Sequence, residues 1–268
     1  MAVKVITIDS ERESAERLGF TTLTKAGDYA YKFDDDIVVR WGNSVWAYAR
    51  EGRQHCEYKN IVNPAQAIRD NVAKCEALKK LARVVFVPAI YEKKVPSGVL
   101  AVIRPFEHAA GNGFTIVEGP CEVPRGTYGT RFLQTPTEYR VWFCGNQTMC
   151  GRRVKMKINE EQKYPCRSNW GYEFSGGVSM DLHRQTLLAA KTLGLDCGAA
   201  DLLYYKGKYY FLELNSAASV DHRCVLNPLV PIIVMAITVV YRGIRHGWSP
   251  PISYPDAPAL LAPKTDGR

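Results

Sequence analysis

The sequence predicts an α+β fold built largely of antiparallel sheets, after a short α/β segment at the N-terminus. Alternating apolar runs bounded by Gly and Pro fill residues 84–150, a pattern typical of antiparallel sheet. Segments with apolar residues at helical spacing flank this region at 63–83 and 180–194. Two further apolar strands, 198–205 and 208–215, follow closely enough to form a hairpin.

Composition limits the class of protein. The chain has 268 residues, of which 46% are hydrophobic and 23% charged, so it can form one large domain or two to three small lobes. The eight cysteines include no Cys-x-x-Cys pair, and we interpret them as reduced thiols. The net charge of +8 favours an anionic ligand, without choosing between phosphates, acidic peptides and nucleic acid.

No targeting or membrane segment is expected. The first residues, "MAVKVITIDS", alternate like a strand and lack the features of a signal or transit peptide. The apolar run 225–241 is interrupted by Asn227, Pro228 and Pro231, so it is too short for a bilayer span and predicts a buried helix instead. We therefore expect a cytoplasmic protein without a membrane partner.

The N-terminal part predicts a β-α start. The predicted elements are a strand at 3–8, a helix at 10–19 and a strand at 37–44. A long helix over 63–83 follows, with Asn63 as its cap and Pro64 at its first position.

Strands dominate the middle of the chain. They are predicted at 84–90, 98–106, 114–119, 130–134 and 138–145, with 149–158 as a hairpin partner after a turn at Gly145-Asn146. A helix over 180–194 is capped by Ser179 and ends at Gly194. An apolar helix within 229–244 precedes a Pro-rich tail.

The stretch "FLELNS" places Glu213 and Asn215 in an apolar strand, and Asp201 lies in the strand before it. A two-residue turn at Lys206-Gly207 in a regular hairpin would put Asp201 on the opposite face. We therefore predict an odd loop, for example 205–207, or a bulge, which brings the three side chains to one face. Such oxygens suit Mg²⁺; the alternative is a surface strand with polar residues facing water.

The segment "LGLDCGAADLLYYKGKYYFLELNSAAS" resembles the end of an ATP-grasp domain. Three other segments are similar to the family's motifs in family order: "DNVAKCEALKKL" leading into "VFVPAI", "VLAVIRPFEHAAGNGFTIVEG" and "EYRVWFCGNQTM". The resemblance covers about residues 63–219 and is strongest to a small, phage-type branch related to amino-acid ligases that act on peptide termini. It implies two α+β lobes whose antiparallel sheets sandwich a nucleotide. The implied domains are 1–74, the N-terminal lobe; 75–132, the first ATP-grasp lobe; 133–246, the second; and 247–268, the tail.

The resemblance also implies residue roles. The implied Mg²⁺ ligands are Asp201, Glu213 and Asn215. The implied nucleotide-binding residues are Arg104, His108, Gly111, Gly113 and Asn169, although His108 can equally serve substrate contact or loop packing. The implied catalytic cations are Arg140, Arg153 and Lys155, each of which could instead be a surface charge.

Three positions depart from the family pattern. Ala199 stands where many ATP-grasp ligases carry an Arg, two residues before the metal-binding Asp. No Pro-Gly follows Asn215, and Lys74 is displaced from the family's Asn-Lys position after Asn71. Lys74 is therefore either a nucleotide-binding cation or an ordinary helix lysine, and we favour the latter. Oxyanion stabilisation is then expected from Arg153 or Lys155.

The implied activity is an ATP- and Mg²⁺-dependent ligase that activates a carboxylate as an acylphosphate and joins it to an amine. Its substrates would be small-molecule or peptide carboxylates and amines, in the host cytoplasm if the protein is phage-encoded, and it could form a homodimer. One alternative is a non-catalytic nucleotide-binding protein with this fold. A ligase acting on a nucleic-acid-linked acceptor is another, suggested by charge alone.

Overall fold

The computed structural model describes residues 3–7, 16, 21–23, 37–41, 61–106, 113–134, 136–155, 170–173 and 179–216. The predicted helix within 229–244 and the Pro-rich tail lie outside these residues, and only Glu16 of the predicted helix at 10–19 lies inside them.

An N-terminal sheet opens the described chain. Its strands are β1 (Val3–Thr7), β2 (Thr21–Leu23), β3 (Ile37–Trp41) and β4 (Ile61–Val62). They lie in the order β2-β1-β3-β4 and all pairs are parallel. Parallel neighbours require crossover connections, which agrees with the predicted α/β character of this segment.

The first antiparallel sheet follows. The strands of this region are β5 (Ile90–Tyr91), β6 (Lys94–Val95), β7 (Leu100–Pro105), β8 (Thr115–Glu118), β9 (Cys121–Glu122) and β10 (Thr127–Arg131). The sheet has the order β5-β10-β7-β8, and β6 pairs separately with β9. The strand predicted at 130–134 is therefore three residues too late.

The strand predicted at 84–90 is wrong for most of its length, because only Ile90 belongs to a strand. This segment hydrogen-bonds to the strand that contains Phe211: the carbonyl of Phe86 accepts a hydrogen bond of 2.8 Å from the N–H of Phe211. Pro88 has no N–H to donate to a ladder. The segment is thus a connection between two sheets.

The second antiparallel sheet is larger. Its strands are β11 (Thr137–Cys144), β12 (Gln147–Lys155), β13 (Trp170–Glu173), β14 (Cys197–Tyr205) and β15 (Lys208–Asn215). They lie in the order β13-β12-β11-β14-β15. The predicted turn at Gly145-Asn146 is confirmed, because Cys144 pairs with Gln147 on its far side.

The long helix predicted over 63–83 is two helices. They are α1 (Ala65–Val72) and α2 (Lys74–Leu81), separated at Ala73, where ψ is 74° and the backbone leaves the helical region. The helix α3 (Met180–Thr192) behaves as predicted: the Ser179 hydroxyl accepts from the N–H of Leu182 at 3.2 Å, and Gly194 follows with φ +69°. None of these described helices is long and apolar enough to cross a membrane.

The helices cover one face of the second sheet. Alternate residues of the strands point into this core and meet apolar residues of all three helices, which removes both surfaces from water. The strand side contributes Val141, Phe143, Ala200, Leu202, Phe211 and Leu214, and the helices contribute Ile68, Ala77, Leu81, Leu182, Leu187 and Ala190. The opposite face of the sheet is left for polar side chains.

Asn63 connects the N-terminal sheet to the second sheet. It adopts φ 63° and makes five hydrogen bonds of 2.9–3.1 Å, to the Arg40 carbonyl and to Asp196 and Cys197 at the start of β14. The predicted capping role is wrong, because Pro64 occupies the cap position and no side chain caps α1. Burial raises the pKa of Asp196, and the hydrogen bond from the Asn63 N–H opposes that rise.

Asn63→Ala is expected to lower the free energy of unfolding by at least about 3 kcal/mol, because it leaves buried backbone groups unpaired and puts a Cβ without a polar side chain at positive φ. Urea denaturation followed by circular dichroism measures this. The control is Asn146→Ala, whose side chain accepts a hydrogen bond from the adjacent Gln147, with an expected loss below about 1 kcal/mol. Equal losses for both variants would contradict the role of Asn63.

Candidate functional site

A β-bulge decides which residues of β15 face the helices and which face away. Pairing is regular from Tyr205↔Lys208 up to Leu202↔Phe211, and then Asp201 pairs with Glu213, so Leu212 is the extra residue. Phe211 and Leu214 both reach the core, although an odd separation would put them on opposite faces of a regular strand. The bulge therefore allows an apolar anchor on either side of Glu213.

The hairpin prediction is correct in its bulge and wrong in its odd loop. The loop is the two residues Lys206 and Gly207, with φ values of 48° and 79°, as in a type I′ turn. The register change occurs instead between Asp201 and Leu202. As a result Asp201 and Glu213 are direct cross-strand neighbours on the face opposite the core.

Asp201 is held by a two-pronged ion pair. The Nε and Nη2 of Arg140, on the neighbouring strand β11, donate to the two carboxylate oxygens of Asp201 at 2.6 and 2.7 Å. Burial acts to lower the pKa of the Arg140 guanidinium, but the charge and hydrogen bonds of Asp201 outweigh it and raise that pKa. Planar, bidentate pairs of this kind fix carboxylate orientation. Two donors of Arg140 are thus committed to Asp201.

Asn215 bridges the two carboxylates. Its Nδ2 donates to Asp201 Oδ2 at 3.1 Å and to Glu213 Oε1 at 3.0 Å. The three side chains predicted as a set therefore lie together, with Asn215 within hydrogen-bond distance of both carboxylates. Two carboxylates and an amide form a donor set rich in the hard oxygens that Mg²⁺ takes, so the chemistry of these residues fits a magnesium ion.

Lys74 belongs to the same cluster, contrary to its interpretation as an ordinary helix lysine. Its Nζ lies 3.1 Å from the Leu214 carbonyl, 3.4 Å from Asn215 Oδ1 and 3.6 Å from Glu213 Oε2. Asn71 donates to the same Leu214 carbonyl at 2.8 Å. The break between α1 and α2 explains the displaced spacing, because it turns both side chains toward β15. The signal in the sequence was the Asn-Lys motif itself.

A second set of side chains extends the charged face toward β13. Arg153 on β12 donates from Nη1 to Glu138 Oε2 at 3.0 Å. Tyr172 lies beside this pair, with its ring 5.7 Å from Arg140 Cζ, and burial raises its pKa while both arginines lower it. Tyr172 was not singled out in the sequence, since nothing in its segment marks it among fifteen tyrosines.

Trp142 and Tyr172 form an edge-to-face pair 5.1 Å apart. A Cβ at Gly151 would lie 3.1 Å from the Trp142 ring and 3.2 Å from the Tyr172 ring, so a residue without a side chain fits best beneath them. Trp142 is also the cross-strand partner of Ala199, the position of the absent family Arg. An aromatic side chain therefore lies across from that position.

Arg104 lies on the first antiparallel sheet, beside a buried tyrosine. It pairs with Tyr128 across β7 and β10. Burial raises the pKa of the Tyr128 hydroxyl, a hydrogen bond and the charge of Arg104 lower it, and the Glu213 carboxylate raises it. Arg104 and Glu213 thus act on the pKa of the same buried tyrosine in opposite directions, and the phosphate-binding role of Arg104 stays a prediction.

The remaining predicted site residues are described only in part. His108, Gly111 and Asn169 lie outside the described residues, and Lys155 is described only by its backbone, paired with Trp170. Gly113 has φ +74° and lies against the ring of Pro105, a conformation that favours glycine. Their functional roles stay predictions, as do the domain boundaries.

A separate group of metal-binding side chain types lies at α2, which supplies two of them, and at the short segment between β5 and β6, which supplies the third. Ligand atoms of Cys75, Glu76 and Glu92 are within 4.8 Å of one another. The Nζ of Lys79, however, lies 2.8 Å from Glu76 and 2.6 Å from Glu92. An ammonium already pairs with both of these exposed carboxylates, so this group carries no metal assignment.

Comparisons with solved structures identify similar folds. D-alanine–D-alanine ligase from Bacillus anthracis, in complex with ATP, matches with a TM-score of 0.62 at 13% identity, over 92% of this chain and 99% of that one. The ATP-grasp ligase PsnB, with its minimal precursor, Mg and ADP, gives a TM-score of 0.60 at 17% identity, over 88% of this chain and 97% of that one.

The macrocyclase MdnC from Microcystis aeruginosa MRC, bound to its precursor peptide MdnA, gives a TM-score of 0.58 at 13% identity, over 89% of this chain and 100% of that one. No family model and no curated protein matches the sequence. At these identities the likeness shows the fold, and the two-sheet arrangement expected from the sequence is confirmed.

A double-mutant cycle of Arg140→Gln and Asp201→Asn is expected to give a coupling of about 1–3 kcal/mol in unfolding free energy, because a partly buried carboxylate loses its counterion. The matched control is Arg152–Glu173 on the same sheet, an ion pair whose side chains are about half exposed. Its coupling should be much smaller. Equal couplings for the two pairs would contradict a special role for Arg140.

Proposed function

We propose that this chain, which has the ATP-grasp fold, is an ATP- and Mg²⁺-dependent, ADP-forming ligase that joins a carboxylate to an amine. The observation that carries the proposal is the convergence of Asp201, Glu213 and Asn215 on one face of the second sheet. The ligands named with the similar structures, ATP, ADP and Mg, belong to those proteins and agree with this donor set.

Electrostatic positioning is the chemistry that such a site supplies. When bound, Mg²⁺ would supply positive charge that offsets the negative charge of the phosphates. Asp201 and Glu213 would hold it, with Asn215 beside them. Arg104 would bind phosphate oxygens from the first sheet, where its guanidinium can grip two of them.

The reaction has two steps. A carboxylate oxygen of the substrate attacks the γ-phosphorus, and ADP leaves with the electrons of the broken P–O bond. The amine nitrogen then attacks the carbonyl carbon of the acylphosphate, the C–O bond to phosphate breaks, and the nitrogen loses a proton. Both steps concentrate negative charge on oxygen, which fixed cations stabilise. Arg140 would act by orienting Asp201. Arg153, which Glu138 holds by a hydrogen bond, would supply one of the fixed positive charges.

The substrates would be small-molecule or peptide carboxylates and amines. PsnB and MdnC are described as bound to precursor peptides, which supports including peptides in this class. The phage-type branch, the cytoplasmic location and a homodimer remain predictions from the sequence.

A second candidate is a non-catalytic nucleotide-binding protein with the same fold. Ala199 favours it, because many ligases carry an Arg there and this chain places Trp142 across from it. Such a protein would bind the nucleotide and release no ADP.

Purified protein with ATP and Mg²⁺ should release ADP and phosphate when given pools of carboxylates and amines, including peptides, and mass spectrometry should identify the amide. Glu213→Gln is expected to lower the rate by about 10²-fold or more, because one charged group at the reacting centre is lost. Glu173→Gln, an exposed carboxylate on β13, is the control and should keep the wild-type rate.

Turnover by Glu213→Gln at the wild-type rate would refute the metal assignment. ADP binding without ADP release across the whole panel would favour the non-catalytic candidate. Binding to nucleic acid that weakens steeply with salt would instead support a nucleic-acid-linked acceptor.

A further inference from the structure

We propose that Arg140 and Lys74 are built-in counterions of the two carboxylates, so that the site takes a divalent cation only together with the polyphosphate of a nucleotide. The inference rests on the proposed nucleotide-binding function and adds a rule about order: the metal arrives with the nucleotide. It makes Arg140 a positioning residue and makes Lys74 the counterion of Glu213.

The charges in the cluster already balance. Asp201 and Glu213 contribute two negative charges, and each faces a cation of the chain: Arg140 at 2.6 and 2.7 Å from Asp201, and Lys74 at 3.6 Å from Glu213. The formal sum is zero. A bare Mg²⁺ entering between the carboxylates would therefore meet two positive charges as well as two negative ones.

Burial strengthens the electrostatic interactions among these four side chains. The side chains of Lys74 and Arg140 are 14% and 15% exposed, and those of Asp201 and Glu213 are 23% and 29% exposed. Salt screens charges of this kind much less than it screens charges at the open surface. The neighbouring pair Arg152–Glu173 is about half exposed on the other face of the sheet, so it serves as a comparison with the same chemistry.

The orientation of the Asn215 amide also disfavours a cation that arrives without a nucleotide. Its Nδ2 faces both carboxylates, and its Oδ1 faces Lys74 Nζ at 3.4 Å. The amide thus presents N–H donors, which satisfy carboxylate oxygens, toward the space between Asp201 and Glu213. An oxygen ligand for a cation there requires the amide to turn over, and that turn separates Oδ1 from the ammonium.

A polyphosphate supplies what a bare cation lacks. Its negative charges compensate the positive charge of the metal and give Lys74 and Arg104 new partners. Lys74 can transfer from Glu213 to a phosphate oxygen with a small movement of a flexible side chain. Arg140 keeps both of its bonds to Asp201 and holds that carboxylate in place. Metal and nucleotide should therefore bind with strong positive coupling.

The test is Mn²⁺ titrated into full-length protein, with free Mn²⁺ followed by its electron paramagnetic resonance signal. Arg140→Gln and Lys74→Met are each expected to bind Mn²⁺ alone at least about tenfold more tightly than wild type, because one counterion is lost. Arg140→Lys keeps the charge and should stay near wild type. Arg152→Gln, on the opposite face, is the matched control and should not change.

A purely structural role of Arg140 predicts the reverse result, because a distorted site binds every ligand less well. Lys74→Met lies at the start of α2 and keeps the test valid if Arg140→Gln does not fold, as judged by circular dichroism. Calorimetry with ADP in the presence and absence of Mn²⁺ should show that wild-type protein binds ADP more tightly with the metal.

Three results would overturn the inference: Mn²⁺ alone binding to wild type as tightly as it does beside ADP, no gain in Mn²⁺ affinity in either charge-removing variant, or an equal gain in Arg140→Lys. Absence of any ADP binding by wild type, with and without metal, would instead overturn the proposed function.

Discussion

The bulge at Leu212 is the constraint on which the rest of the site depends. A regular strand alternates its side chains, so it cannot bury both Phe211 and Leu214 while it exposes Glu213 beside Asp201. One extra residue resolves this conflict, because it changes the face after Phe211. The two apolar side chains then fix the strand against the helices, and the carboxylate between them is held on the opposite face without any support from the loop.

Ion pairs stabilise the two carboxylates that the bulge brings side by side. Two carboxylates brought side by side repel each other, and burial strengthens that repulsion. Arg140 from the adjacent strand and Lys74 from the start of α2 offset it. On either side of the helix break at Ala73, Asn71 and Lys74 both reach the Leu214 carbonyl near the end of β15. The sheet register and the start of α2 therefore both position the residues that form these ion pairs.

Local patterns predicted much of this fold, and long-range contacts account for what they missed. The cap at Ser179, the end at Gly194 and the turn at Gly145-Asn146 depend on neighbouring residues and are correct. Asn63 looked like a cap, but its partners lie in β14, far along the chain. The parity argument found the shared face of Asp201 and Glu213, yet it could not place the extra residue, because the core packing of Phe211 decides that position. For Lys74 the sequence favoured an ordinary helix lysine, because its partners in β15 lie far along the chain.

A crystal structure of the protein grown with Mg²⁺ and ADP tests the central claim most directly. The account predicts a metal ion about 2.1 Å from carboxylate oxygens of both Asp201 and Glu213, phosphate oxygens beside Arg104 and Lys74, and Arg140 still paired with Asp201. Nucleotide bound elsewhere, or metal bound without contact to either carboxylate, would contradict it.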